Sequence, residues 1–307
     1  MKEVKAFRVK KSTTLSEMVK GMESAGFGAG KISRASEIME KMFRDTKCKV
    51  FLGLAGAMVP AGMKSVITDM LDNVDVLVTT GATLTHDLIE ALGESHYLLD
   101  SSESFDDGKL NREGLDRMYN VVMKNEVYEK LENFFNANWN EFSKCKTIKE
   151  LVWKIGELCP GERENCILKK CWEKKIPLFC PALADSGIGL MIWGRKAAGK
   201  EISIDAFEDM KEIIDIAWTA KSTGIVYVGG GVPKNFIQQA LQFSKGADYG
   251  IQITTDSPEP GGSSGAPLKE GISWGKMKTS ADFVDVKCDA TIALPLIFGS
   301  VNSGKKQ

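Results

Sequence analysis

Six short apolar runs alternate with stretches of helical periodicity along this chain. The runs cover residues 49–53, 74–80, 176–181, 224–231, 247–255 and 284–289. Most are near-continuously apolar rather than alternating, the pattern of strands buried on both faces of a parallel sheet. Between them, Ala35, Ile38, Met39, Met42 and Phe43 make one stripe at helical spacing. Phe207, Met210, Ile213, Ile214 and Ala217 make another, with Gly224 as its expected stop. Thr147 with Glu150 forms a capping box before Leu151, Val152 and Ile155. Residues 97 to 147 begin polar and irregular and end helical, an excursion from the sheet. The pattern predicts an α/β fold, doubly wound, with a largely parallel sheet and helices on both faces. It is read as a single large domain (47–307) preceded by an N-terminal helical segment (1–46).

Bulk chemistry narrows the partners. The chain has 307 residues, 43% of them hydrophobic, enough for a sizeable core. Forty basic against 41 acidic residues leave a formal charge of −1, so no net field draws it to nucleic acid or membrane. The first ten residues lack the apolar centre of a signal peptide, and no run approaches a membrane span of ~20 residues. The expected compartment is the cytoplasm. Seven cysteines without any C-x-x-C spacing suit free thiols better than a zinc site, and two histidines leave little for another metal. No metal is expected.

The candidate chemistry lies at strand ends. Small residues follow four runs: 53–57, 79–82, 229–231 with Pro233 behind them, and 254–256. In parallel α/β sheets ligands bind at such junctions, and glycines with helix N-termini suit a pyrophosphate. Asp185 and Asp289 are candidate acceptors for ribose hydroxyls. The G-x-G-x-x-G and G-x-x-x-x-G-K-[ST] fingerprints are absent. A glycine- and serine-rich segment, 261–276, ends in Ser273-Trp274-Gly275-Lys276. An amine walled by an indole loses hydration, which disfavours its ammonium form and suits it to attack a carbon–nitrogen double bond.

These motifs, in this order, resemble deoxyhypusine synthase over roughly residues 48 to 297. The marks are Phe51-Leu-Gly53, Asp75-Val-Leu-Val-Thr-Thr80, His86-Asp-Leu-Ile89, Pro181-Ala-Leu-Ala-Asp185, Gly229-Gly-Gly231, Gly246-Ala-Asp-Tyr249, Gly265-Ala266 and Ser273-Trp-Gly-Lys276. The resemblance implies a Rossmann-like NAD site and a cytoplasmic homotetramer. It implies NAD-dependent transfer of an aminobutyl group from a polyamine, held in passing as an imine on Lys276. Cofactor contacts map onto Gly56, Ala57, Pro60, Thr80, Gly81, Ala82, His86, Asp185, Gly230, Thr255, Asp256, Asp289 and Ala290. Substrate contacts map onto Thr85, His86, Leu190, Asn235, Gly261, Gly262, Ser263, Glu270 and Trp274.

The departures fall in the amine pocket. Eukaryotic members carry Glu-Glu-Asp where this chain has Thr85-His86-Asp87, aspartates at Leu190 and Ser263, and a histidine at Asn235. Each lost carboxylate removes a charge-assisted hydrogen bond worth ~1.5–3 kcal/mol. A changed substrate follows: the donor is a polyamine such as spermidine or agmatine, and a small amine is slightly favoured as acceptor in a homospermidine-like reaction. The alternatives are a lysine of the hypusine-bearing translation factor as acceptor, and a non-catalytic NAD-binding paralogue.

Overall fold

The computed structural model describes residues 1, 3–99 and 105–303. These residues contain nine strands: β1 (Cys48–Leu54), β2 (Val76–Thr79), β3 (Tyr97–Leu98), β4 (Leu115–Met118), β5 (Val121–Lys124), β6 (Leu178–Phe179), β7 (Ser222–Val228), β8 (Ala247–Thr254) and β9 (Met277–Lys287). The main sheet has six strands. By its internal contacts the chain divides into two compact units, 1–55 with 72–78 and 210–307, and 56–71 with 79–209. No helix among the described residues is long and apolar enough to cross a membrane.

The first unit carries the strands in the order β2-β1-β7-β8-β9. β1 pairs parallel with β7, β7 with β8, and β8 with β9. All six apolar runs are strands, and β7 is buried from Thr223 to Val228, as a central parallel strand should be. Two glycines show that helices cover both faces. A Cβ on Gly224 would meet Met42 at 2.5 Å, from the helix Phe27–Arg44. A Cβ on Gly53 would meet Ile237 at 3.2 Å, from the helix Gly231–Gln242. Gly224 pairs with Val50, three residues before Gly53, and positions an odd number apart face opposite sides of a strand. The two helices therefore pack on opposite faces.

Gly224 corrects the reading of it as a helix stop. The helix Ala206–Thr219 ends earlier, and Gly224 sits inside β7, where the close approach of Met42 leaves no room for a side chain. Phe207 departs from its stripe as well, being 84% exposed. The other stripe holds: Ala35, Ile38, Met39 and Met42 are buried.

The second unit holds an antiparallel sheet, β3-β5-β4, that the sequence pattern did not announce. Its strands are only two to four residues long and mostly exposed or half-buried, too short to stand out as apolar runs. The predicted cap at Thr147 is present in modified form. The Thr147 hydroxyl accepts from Glu150 N at 3.1 Å, but the Glu150 carboxylate reaches back to Lys146 N at 2.7 Å instead of to the cap residue.

Candidate active site

In the first unit the segment that ends in Lys276 is built from turn chemistry. A short 3₁₀ helix, Leu268–Ile272, closes with Ser273, whose hydroxyl donates to Glu270 O at 2.9 Å. Gly275 then takes φ +71°, a conformation that costs an L side chain about 1–2 kcal/mol. This reversal returns Lys276 N to Gly271 O at 2.8 Å and launches β9 at Met277. Trp274 and Lys276 thereby flank one turn, and Lys276 Nζ stands 4.7 Å from the Trp274 ring centroid. Such a cation–π contact contributes ~0.5–1 kcal/mol at an exposed site.

Lys276 lines a cavity of about 250 Å³. Of the residues anticipated for substrate, it brings together Asn235, Gly261, Ser263, Glu270 and Trp274, all with Lys276. Glu270 supplies the cavity's carboxylate. The expected desolvation by the indole is not what the single chain shows. Trp274 is 56% exposed and Lys276 half-buried, so the ring by itself does not strip water from the amine.

The desolvated lysine of this cavity is a different one. Lys234, in the helix Gly231–Gln242, is 1% exposed, and its ammonium donates to Ser263 O and Ala266 O at 2.6 Å each. Burial pushes its pKa down to about 8, with Lys276 nearby adding to the drop and Asp285 and Glu270 opposing it. Gln252 of β8 works beside it, donating from Nε2 to Ser264 O at 3.1 Å and Ala266 O at 3.2 Å. Glycines complete the seat. A Cβ on Gly230 would overlap Ser264 Cα, and one on Gly265 would overlap Ser257 O. Lys234 and Gln252 were not singled out from sequence. A lysine near the start of an ordinary helix carries no sign that carbonyls will meet it in the core.

The remaining first-unit candidates stand at strand ends. Gly229 (φ +74°) and Gly231 (φ +59°) turn the chain from β7 into the helix Gly231–Gln242. Thr255 and Asp256 are exposed after β8. Asp289 follows β9 and caps the helix Ala290–Asn302, accepting from Thr291 N at 2.7 Å. Gly262 is exposed in the loop before Ser263.

In the second unit, the helix Gly81–Ala91 begins at Thr80, whose hydroxyl accepts from Thr83 N at 3.3 Å. The amides of Gly81 and Ala82 are left as donors at the helix start. A Cβ on Gly81 would lie 2.5 Å from Ser186, and Gly56 (φ +82°) has open space around it. Thr83 donates to Gly56 O at 3.4 Å, which ties that loop to the helix start. Ala57 is exposed and Pro60 buried. Asp185 and Leu190 are exposed, Leu190 by 54%. Thr85 is buried and its hydroxyl accepts from Ile188 N at 3.2 Å. Asp87 is fully buried and accepts from Ile167 N and Leu168 N at 3.0 and 2.9 Å; burial drives its carboxyl up to about 6. His86 Nδ1 lies 3.0 Å from His96 Nε2, and burial holds its imidazolium down to about 4. Among the described residues no cluster of three or more His, Cys, Asp or Glu is arranged to hold a metal ion.

Comparison with known proteins bears on this arrangement. The family model described as deoxyhypusine synthase matches residues 17–301. "Probable deoxyhypusine synthase 1" of Methanosarcina mazei is 41% identical over 304 residues, covering 98% of this chain and 94% of the relative. The protein of that name in Archaeoglobus fulgidus is 40% identical over 292 residues, 94% of each. Among solved structures, "a putative deoxyhypusine synthase from Entamoeba histolytica" superposes with a TM-score of 0.64 at 18% identity, over 99% of this chain and 98% of that one. With the match spanning nearly the whole chain and including the Ser-Trp-Gly-Lys turn, this protein belongs to the deoxyhypusine synthase family.

Proposed function

We propose that the chain is an NAD-dependent transferase that moves an aminobutyl group from spermidine, or a guanidinobutyl group from agmatine, to an amine acceptor. The observation that carries this reading is the cavity in which Lys276 stands over Trp274 with Glu270 in the wall. Lys276 Nζ adds to the oxidised carbon of the donor, the small amine is expelled, and the group stays on the lysine as an imine. The acceptor takes it by the same exchange in reverse. Glu270 pairs with a substrate ammonium, and the Trp274 face stacks on it.

The cofactor reading rests on two sets of residues. In the second unit, Gly56, Ala57, Pro60, Thr80, Gly81, Ala82, His86 and Asp185 are assigned to it, and the open glycine backbone at Gly56 with the free amides of Gly81 and Ala82 suits a pyrophosphate. In the first, Gly230, Thr255, Asp256, Asp289 and Ala290 are assigned. NAD, when bound, accepts a hydride from the donor and returns it to the product.

Two acceptors remain in view. Asn235 and Ser263 stand in the wall of the Lys276 cavity without a charge, which favours a small amine. The near full-length match to archaeal relatives named for deoxyhypusine synthase favours a protein lysine. One experiment tests the common step and sorts the acceptors. Protein with NAD and spermidine, agmatine or putrescine is reduced with borohydride and weighed. A mass gain on Lys276 is expected, absent in Lys276→Ala and Lys276→Arg, which keep NAD affinity but lose turnover. No adduct with any amine overturns the reading. Product analysis with and without the hypusine-bearing factor then separates the acceptors.

A further inference from the structure

The Lys276 cavity, which lies wholly in the first unit, has a mouth and a floor. Asn235, Glu270 and Trp274 are exposed at the mouth, while Gln238 and Gly271 are buried. Gln238 follows Asn235 by three residues in the helix Gly231–Gln242, so both lie on one face of that helix, a turn apart. Gln238 is 8% exposed and lines the cavity.

The amide of Gln238 is an uncommitted polar group in this wall. Lys234 donates to Ser263 O and Ala266 O, and Gln252 beneath them donates to Ser264 O and Ala266 O. The Gln238 side chain has no hydrogen-bond partner among the described residues. Buried polar side chains are nearly always satisfied, because an unmet donor or acceptor gives up its hydration without return. Gly271 keeps the space before the amide open. A Cβ on Gly271 would stand 3.8 Å from Gln238 Nε2 and 3.6 Å from Lys276 Cβ. The amide and the stem of Lys276 therefore border the same gap.

We propose that Gln238 is a specificity-determining residue whose Oε1 accepts the N–H of a nitrogen inside the donor's chain, while the donor's terminal ammonium is held at Glu270 and Trp274. This deepens the amine-transfer reading above and rests on it for the class of ligand. The wall carries its carboxylate at the mouth and its buried lysine, Lys234, inside. A cationic end is thus drawn to the mouth, and a nitrogen further in is held by a directed hydrogen bond instead of an opposite charge. The arrangement selects a triamine such as spermidine over a plain diamine of equal length, whose methylene would leave the amide unmet.

The test compares spermidine with 1,8-diaminooctane, in which a methylene replaces the secondary nitrogen at unchanged length. Calorimetry on the full chain with NAD present reads binding and needs no turnover. The parent is expected to prefer spermidine by at least about tenfold. Gln238→Met keeps the length and removes the amide. It is expected to cut that preference at least about fivefold while the diamine binds within about twofold of its parental affinity. Gln238→Glu keeps the shape and the acceptor, and is expected to hold the preference within about threefold of the parent. An unchanged preference in Gln238→Met overturns the proposal, as does an equal loss in Gln238→Glu. A parallel fall for both ligands in Gln238→Met marks the amide as structural and overturns it too. Borohydride trapping separates the two readings. A Lys276 adduct with an unchanged preference in Gln238→Met leaves the transfer reading standing and this proposal refuted. A preference lost in Gln238→Met, with no adduct from any amine, refutes the transfer and keeps Gln238 as the residue that selects the bound amine.

Discussion

Lys234 is the residue whose physics is least visible in the linear chain. Its ammonium sits under the loop that walls the Lys276 cavity, held by two carbonyls. Substitution Lys234→Met keeps length and removes both hydrogen bonds. Each is worth ~1.5–3 kcal/mol to a charged donor, while the burial being relieved is of similar size, since a fall from 10.5 to about 8 corresponds to about 3 kcal/mol. Stability at pH 7 is therefore expected to move by less than about 2 kcal/mol, whereas turnover drops because Ser263 and Ala266 lose their anchor. The pH profile separates the two effects. Between about 8 and 10.5 the unfolded chain holds the Lys234 proton that the folded chain has released, so parental stability rises with pH across that window relative to Lys234→Met, by about 3 kcal/mol in all. Urea titrations at both ends measure it. Parallel profiles would mean that the amine is not desolvated.

At the scale of elements, glycine contacts decide what the turns can hold. Gly230 follows β7 and faces Ser264 so closely that a methyl group would overlap its Cα. The substitution Gly230→Ala is expected to cost about 1–3 kcal/mol by overpacking and to push the 262–266 loop off its seat. Gly28→Ala is the control. It lies in the helix Phe27–Arg44 with nothing within 4 Å of the added carbon, so it gains up to about 1 kcal/mol from helix propensity. Equal melting shifts for the two would show that the close approach is not real. The same contrast explains which elements sequence could announce. β1, β2, β6 and β7 are buried almost throughout and so read as apolar runs, and the buried positions of the Ala35–Met42 stripe mark a helix by their spacing. β3, β4 and β5 run for two to four residues and bury only Val122 and Met123, too little to set up a pattern. Gly224 looked like a stop because a glycine is silent about whether it serves φ or space. Of the site, Trp274, Glu270 and Lys276 were legible, since turn chemistry fixes them within seven residues. Lys234 and Gln252 were not, because their partners are backbone carbonyls set in place only by the fold.

For the whole molecule, the question is what would take Lys276 out of water if it is the nucleophile proposed above. Trp274 cannot shield it from within one chain, being 56% exposed. Other large side chains share that condition, with Phe207 at 84%, Trp193 at 67% and Trp218 at 66% exposed. Exposed apolar groups acquire meaning where they join into a patch that a partner covers. We propose that further copies of the chain, in the homotetramer that the family resemblance implies, are that partner. Light scattering after size exclusion is expected to give four times the 33.6 kDa chain mass. If a partner copy lies over Trp274, dilution through the assembly midpoint lowers specific activity and moves tryptophan emission to the red together, since both report water entering at the same indole. Full activity in a monomeric fraction would exclude assembly as what dries the proposed nucleophile, and its desolvation would then have to come from the bound substrate itself.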